Sequence, residues 1–168
     1  MKKVLIAYAS KCGSTGEVAE AIAKDLGDAG YMVDVKATGD VKKIDGYDAV
    51  IVGSAIRMGK PLNDAVKFIK RHRKAFAALP VAYFSVGLAM KEKTDEKFEE
   101  AMGYMAKMTD QYEPQEKTAF AGAVDYSKLP PFYRRVFSMA DDENMGEGDF
   151  RDWDAIHAWA ANLPQLIG

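Results

Sequence analysis

Cysteine is almost missing from this chain. Cys12 is the only one in 168 residues, so no disulfide can close within it and a bridge-stapled secreted scaffold is excluded. A reducing, cytoplasmic setting is the expectation. An excess of one charge is also lacking: 23 Lys and Arg stand against 25 Asp and Glu, a formal net charge of -2. A general nucleic-acid binder carries a strong basic excess, so that class is set aside. No apolar stretch approaches the roughly 18 residues of a membrane-crossing helix, which leaves only peripheral membrane contact open. Met1-Lys2-Lys3 opens in the manner of a signal peptide, but the apolar run behind it ends by Ala9 without a cleavage signature. His72 and His157 have no Cys or His companions at metal-ligand spacing, and no Ser-His-Asp set or carboxylate pair can be argued.

Two nucleotide fingerprints are absent as well. The triphosphate loop GxxxxGK[ST] does not occur, and the glycines at 13 and 16 do not have the spacing of the dinucleotide motif GxGxxG. Present instead, directly after the apolar run Val4 to Ala9, is Ser10-Lys11-Cys12-Gly13-Ser14-Thr15. An unbroken apolar run suits a strand buried on both faces. A loop from such a strand into a helix leaves the first helical N–H groups unpaired, and amides and helix dipole together favour an anion there. Ser10, Ser14 and Thr15 add hydroxyls, and Gly13 permits close backbone approach. The pattern [ST]xxGxT predicts a cradle of neutral donors for a terminal monophosphate.

The strand–helix theme repeats along the chain. A helix is expected over Gly16 to Ala29 with Val18, Ala19, Ile22, Ala23 and Leu26 inward, and an alternating strand over Tyr31 to Ala37. Val41 to Tyr47 is too short for more than a turn or two of helix. A second buried strand runs from Asp48 to Ser54, a helix from Pro61 to Phe76, a third buried strand from Val81 to Ala89, and a helix from Thr94 to Asp110 with Phe98, Met102, Met105 and Met108 inside. Lys117 to Val124 reads as a short strand. Asp125 to Arg151 breaks the rhythm with prolines and an aromatic–basic patch (Phe132, Tyr133, Arg134, Arg135, Phe137). Asp152 to Leu163 closes as a helix capped by Asp152, with Trp153, Ile156, Ala160 and Leu163 inward. This order predicts an α/β fold in one domain over 1–168: a doubly wound, five-stranded parallel sheet, strand order 2-1-3-4-5, between two helical layers, with an insert at about 125–151.

In such a sheet a ligand sits beyond the carboxyl ends of the strands where the winding reverses. Three segments should converge there: Ser10 to Thr15; Ser54-Ala55-Ile56-Arg57-Met58-Gly59; and Val86-Gly87-Leu88-Ala89, followed by Met90-Lys91. The second and third are small, apolar and glycine-bearing, and suit a planar heteroaromatic ring. Several residues have two readings. Arg57 either pairs with negative charge on a reduced ring or bonds a helix end or carboxylate. Cys12 is either a thiol activated by the helix terminus or a small loop residue. The run Lys67, Lys70, Arg71, His72, Arg73, Lys74 is either a docking face for an acidic partner or a helix end where positive charge is favourable.

With these segments the chain resembles the flavodoxin family, and within it the branch that includes menaquinone-dependent protoporphyrinogen dehydrogenases. The resemblance is carried by Ser10 to Thr15, Gly53 to Gly59, Tyr83-Phe84-Ser85-Val86, Asp152-Trp153 and, more weakly, Tyr133-xx-Val136-Phe137. It implies FMN as cofactor and one-electron exchange with redox partners such as a ferredoxin or a reductase. An electron carrier is the leading expectation; an FMN-dependent porphyrinogen or quinone dehydrogenase is the alternative. Two departures bear on this. No aromatic occurs in Ser54 to Gly59 or Gly87 to Lys91, so Tyr126 or other aromatics of the insert are expected to supply ring contacts. The insert also turns acidic at Asp141, Asp142, Glu143, Glu147 and Asp149. A phosphoacceptor signalling domain of the same topology would need an acidic cluster after the first strand and an Asp ending the third, where Ser10, Lys11 and Gly53-Ser54 stand.

Overall fold

Apolar runs without polar interruption become the centre of a parallel sheet in the computed structural model, which describes residues 1–11, 13–124 and 148–168. In chain order the elements are β1 (Lys3–Ala9), α1 (Ser14–Asp28), β2 (Met32–Ala37), β3 (Ala49–Arg57), β4 (Lys60–Pro61), α2 (Asn63–Phe76), β5 (Val81–Gly87), α3 (Asp95–Gly103), α4 (Ala106–Thr109), β6 (Glu116–Ala121), β7 (Ala123–Val124), β8 (Gly148–Asp149) and α5 (Trp153–Ile167). The five long strands lie in the order β2-β1-β3-β5-β6, all parallel, as the doubly wound reading requires.

Alternation along each central strand divides the core in two. Val4 and Ile6 of β1, Ile51 of β3 and Ala82, Phe84 and Val86 of β5 pack with Val18, Ile22 and Leu26 of α1 and Ile156, Ala160 and Leu163 of α5. Leu5, Ala7, Val50, Val52, Val81 and Tyr83 face the other layer, where Phe68, Ile69 and Phe76 of α2 meet Met105 and Met108. Both faces are covered, so the central strands are apolar at nearly every position, with Ser54 and Ser85 as buried exceptions. Each fully buried Leu, Ile or Phe contributes about 1.5–3 kcal/mol.

Gly53 shows how tightly the layers fit. A Cβ there would lie 2.1 Å from Cζ of Phe84, its register partner on β5. Phe84 cannot yield easily, because Phe120 and Trp159 hold it at centroid distances of 6.2 and 6.1 Å.

Several boundaries differ from the sequence expectation, each for a local reason. Strand β3 runs past Ser54 to Arg57, because Arg57-Met58-Gly59-Lys60 forms a hairpin that pairs Ile56 with Pro61 and Arg57 with Lys60. Met58 (φ 53°) and Gly59 (φ 74°) are both left-handed, as a turn matching the strand twist demands. Pro61 is used in that hairpin, so α2 begins at Asn63. Helix α1 starts at Ser14, which places Ser14 and Thr15 inside its first turn.

The expected helix 94–110 breaks after Gly103, where Tyr104 N–H bonds both Glu100 and Ala101 carbonyls. The break lets Met105 and Met108 enter the core, while Phe98 stays 37% exposed. Val41 to Tyr47 forms no helix; a 3-10 turn at Thr38–Asp40 precedes it, and Val41 and Ile44 plug the core. Strand 117–124 divides at Gly122 into β6 and β7. Helix α5 continues through Pro164, held by buried Leu163 and Ile167, while Trp153 is 37% exposed rather than inward.

Candidate functional site

At the carboxyl end of β1 the chain turns on Gly13 (φ 91°), a left-handed N-cap that supplies no side-chain acceptor to the first turn of α1. Gly13 N–H donates to Ser10 Oγ at 3.0 Å, and Glu17 N–H closes the turn on Gly13 carbonyl at 3.1 Å. Gly16 brings the turn against the Tyr8 ring, where a Cβ would lie at 3.2 Å. Ser10 is half-buried, Lys11 exposed and Ser14 buried. Thr15 is wholly buried, and its Oγ1 has no hydrogen-bond partner among the described residues. Such an orphan costs about 1–3 kcal/mol, so the position calls for an acceptor supplied from outside the chain. Cys12 lies outside the described residues.

The second segment is the end of β3 and its hairpin. Buried Ser54 is committed to its own neighbourhood: Oγ accepts from Leu62 N–H at 3.0 Å and donates to Ala55 carbonyl at 2.8 Å. Ala55 is buried, and Ile56 and Arg57 are half-buried. Met58 is 79% exposed. A left-handed, non-glycine, apolar residue at a hairpin tip is strained, and strain of this kind gathers at ligand clamps.

The third segment ends β5. Val86 is buried, Gly87 half-buried, and Leu88 and Ala89 sit in a 3-10 turn over Leu88–Lys91. A Cβ on Gly87 would lie 3.1 Å from Ile56 Cβ, so the second and third segments touch. Gly122 is where the third meets the first: a Cβ there would lie 3.0 Å from Val86 Cγ1, 3.6 Å from Gly87 N and 3.8 Å from Ser14 Oγ. The structure thus brings the three segments to one end of the sheet.

It also adds residues that sequence reasoning missed. Gly122 had a signal, the small triplet Ala121-Gly122-Ala123 closing a strand. Tyr104 had none, because only the break between α3 and α4 delivers it beside Gly59, 3.4 Å from that residue's Cβ position. With Ile56, Ser85, Gly87, Ala89 and Phe120, Tyr104 lines a small cavity behind the third segment.

The chain returning through β8 clasps these parts together. Phe150 N–H donates to Gly122 carbonyl at 3.1 Å, and Lys91 Nζ lies 4.5 Å over the Phe150 ring. Lys93 Nζ is 2.8 Å from Asp152 Oδ2, while Asp152 caps α5 by accepting from Ala155 N–H at 3.1 Å. Lys93 first, and then that amide, hold the Asp152 carboxyl below its ordinary pKa. Arg151 donates from Nε to Asp149 Oδ1 at 2.9 Å and from Nη2 to Asp149 Oδ2 at 2.7 Å, and its Nη1 reaches Glu17 on α1. Its guanidinium carbon is 4.8 Å from the Trp153 ring centroid. Tyr126, Phe132, Tyr133 and Phe137 lie outside the described residues.

No cluster of metal-ligating side chains occurs among the described residues. His157 bonds Asp25 at 2.5 Å. His72 is buried against Phe68, with ring centroids 4.7 Å apart. Helix α2 leads from the carboxyl end of β3 to the amino end of β5, so Lys67 to Lys74 lie on the half leading away from the cradle. No helix among the described residues is long and apolar enough to cross a membrane.

Comparison with known proteins bears on the family and the fold. The chain is 26% identical to protoporphyrinogen IX dehydrogenase [quinone] of Escherichia coli K12, over 98% of this chain and 96% of that one. It is 28% identical to the Leishmania major protein of the same name, over 98% of this chain and 75% of that one. Among solved structures, Fusobacterium nucleatum flavodoxin bound to flavin mononucleotide superposes with a TM-score of 0.60 at 13% identity, covering 98% of each chain. The family model described as flavodoxin domain matches residues 5–151, and the chain therefore belongs to the flavodoxin family.

Proposed function

We propose that this protein binds FMN and carries electrons between redox partners such as a ferredoxin and a reductase in the cytoplasm. One observation carries the reading: the buried, unpartnered hydroxyl of Thr15 in the first turn of α1, at the point where the winding reverses between β1 and β3. A terminal phosphate supplies the acceptor that this hydroxyl lacks, and the helix dipole favours its charge.

The residues fit the cofactor. Ser10, Lys11, Cys12, Gly13, Ser14 and Thr15 would hold the phosphate through amides and hydroxyls. Ser54 to Gly59 and Val86 to Ala89 would flank the ring, with Ser54 bracing the β3 end and Gly87 allowing the two segments to meet. Bound flavin supplies the redox chemistry, while the protein holds it, orients it and sets the local charge. Arg57, half-buried at the end of β3, would influence charge on the ring. Solved flavodoxin of Fusobacterium nucleatum carries the same cofactor.

A second reading is favoured by the near full-length similarity to two protoporphyrinogen IX dehydrogenases. Here the flavin would accept electrons from a porphyrinogen and pass them to a quinone. The substrate would approach the end of the sheet where β7 and β8 pair beside Gly122.

Titration of the apoprotein with FMN, NAD and ATP tests the cofactor. Tight FMN binding with a flavin visible spectrum is expected; micromolar NAD or ATP binding in competition with FMN would overturn it. Electron exchange with a ferredoxin, measured beside porphyrinogen oxidation with added quinone, separates the two readings. Rapid exchange without porphyrinogen oxidation leaves the carrier, and quinone-dependent porphyrinogen oxidation replaces it by the dehydrogenase.

A further inference from the structure

Glu17 is badly placed for an anion site. It stands in the first turn of α1, two residues beyond Thr15, and helical side chains lean back toward the N-terminus. A carboxylate there suits the helix dipole but repels a phosphate held by the same turn. The structure answers this charge from the far end of the chain. Arg151, with its side chain only 11% exposed, puts Nη1 on Glu17.

Arg151 is itself fixed in place. Asp149 grips it through two oxygens at 2.9 and 2.7 Å, Trp153 lies against it at 4.8 Å, and β8 carries Asp149 against β7. The Asp149 contacts, chiefly, hold the guanidinium's pKa above its ordinary value. Among the described residues the charges that meet here are Glu17, Asp149 and Arg151, and removing Arg151 takes away the cation that bridges the two carboxylates.

We infer that Arg151 is a positioning residue for the phosphate cradle: it neutralises and anchors Glu17, and so raises affinity for the phosphate of the cofactor and not for its ring. The inference rests on the FMN reading and assigns a purpose to the clasp between β8 and α1. Arg151 acts through Glu17 and touches no reacting atom.

The test is a double-mutant cycle of Arg151→Met and Glu17→Gln, with Arg151→Lys as the charge-keeping variant. Binding of FMN and of riboflavin, which lacks the phosphate, is measured by equilibrium titration of each apoprotein. Arg151→Met should weaken FMN about three- to tenfold and leave riboflavin unchanged. Glu17→Gln in that background should restore most of the loss, and Arg151→Lys should lose little. Raising the salt should shrink the difference. Equal weakening of FMN and riboflavin, or a double variant as weak as Arg151→Met, would overturn the inference and leave Arg151 a structural clasp. Melting of the apoproteins identifies a variant that fails to fold, in which case Glu17→Gln alone decides: FMN bound more weakly than in the wild type overturns the inference. A wild type that binds no flavin removes the cofactor reading, and this inference with it; a wild type that binds FMN but shows no coupling removes this inference alone.

Discussion

The two ends of the sheet are built differently. At the amino end the strand starts and helix C-termini close on one another, although His72 Nε2, on the half of α2 that leads there, is buried without a partner among the described residues. Lys3 N–H donates to Asp48 Oδ2 at 2.8 Å, Lys2 Nζ caps Ile167 carbonyl at 3.0 Å, and Tyr31 hydroxyl reaches Gly168 carbonyl at 3.1 Å. Gln115 Oε1 accepts from Val81 N–H at 2.8 Å, and Tyr112 hydroxyl donates to Phe76 carbonyl at 3.1 Å. These bonds finish strand starts and helix C-termini, where orphan groups would otherwise remain. At the carboxyl end Thr15 keeps a buried hydroxyl without a partner among the described residues, Met58 is left-handed and exposed, and the Gly87 and Gly122 approaches leave no room for side chains. One end finishes its strand starts and helix ends within the fold. The other carries local costs that a ligand would offset.

Thr15→Ala sharpens this contrast most. FMN affinity should fall by about 1.5–3 kcal/mol, the value of a charge-assisted hydrogen bond. Thermal unfolding of the apoprotein should show no loss of stability, because an unsatisfied buried hydroxyl is removed. Unchanged affinity in both Thr15→Ala and Ser10→Ala would place the phosphate elsewhere.

Gly53→Ala tests the strand interior that supports the cradle. The added methyl meets the Phe84 ring at 2.1 Å, and overpacking of this kind costs about 1–3 kcal/mol. Denaturant unfolding should show the loss with or without flavin. Stability equal to wild type would mean the ring relaxes freely.

Asp48→Ala is the matching probe at the amino end. It removes the acceptor of Lys3 N–H and should cost about 0.5–1.5 kcal/mol of stability, with FMN affinity unchanged. A drop in flavin affinity beyond the stability effect would break the separation between the two ends.

The smallest effect expected is a pH dependence from His72. Burial, and then the charge of Arg71, hold its pKa below the ordinary 6.5. As pH falls below that value the unfolded chain takes up the proton first, so stability is full above 6.5 and declines below it. His72→Leu should flatten the unfolding free energy between neutral and mildly acidic pH. An unchanged slope would assign the dependence to other groups.

Much of the architecture is legible along the chain. Val4 to Ala9 and Ala49 to Val52 are apolar at every step, and Val81 to Val86 at every step but Ser85, which only strands covered on both sides tolerate. Helix α1 and the Asp152 cap of α5 follow from inward spacing and from a side chain suited to accept from the third amide. Boundaries were less legible where a later residue decides. Nothing in Ser54-Ala55-Ile56-Arg57 foretells that the strand continues, because the hairpin needs a left-handed Met58 that local preference disfavours. The ion network is silent in sequence for another reason: Glu17 and Arg151 are 134 residues apart.

The sequence by itself determined the layering, the strand order and the position of the Ser10 to Thr15 loop. Those follow from the period of apolar residues and from the handedness of strand–helix–strand connections, which act over short stretches of chain. Only the tertiary structure decided which distant groups meet at the strand ends beside that loop. Gly122 beside Ser14, Tyr104 beside Gly59 and Arg151 upon Glu17 are contacts between segments that share no local pattern. They exist because the packed sheet brings the strand ends to one place.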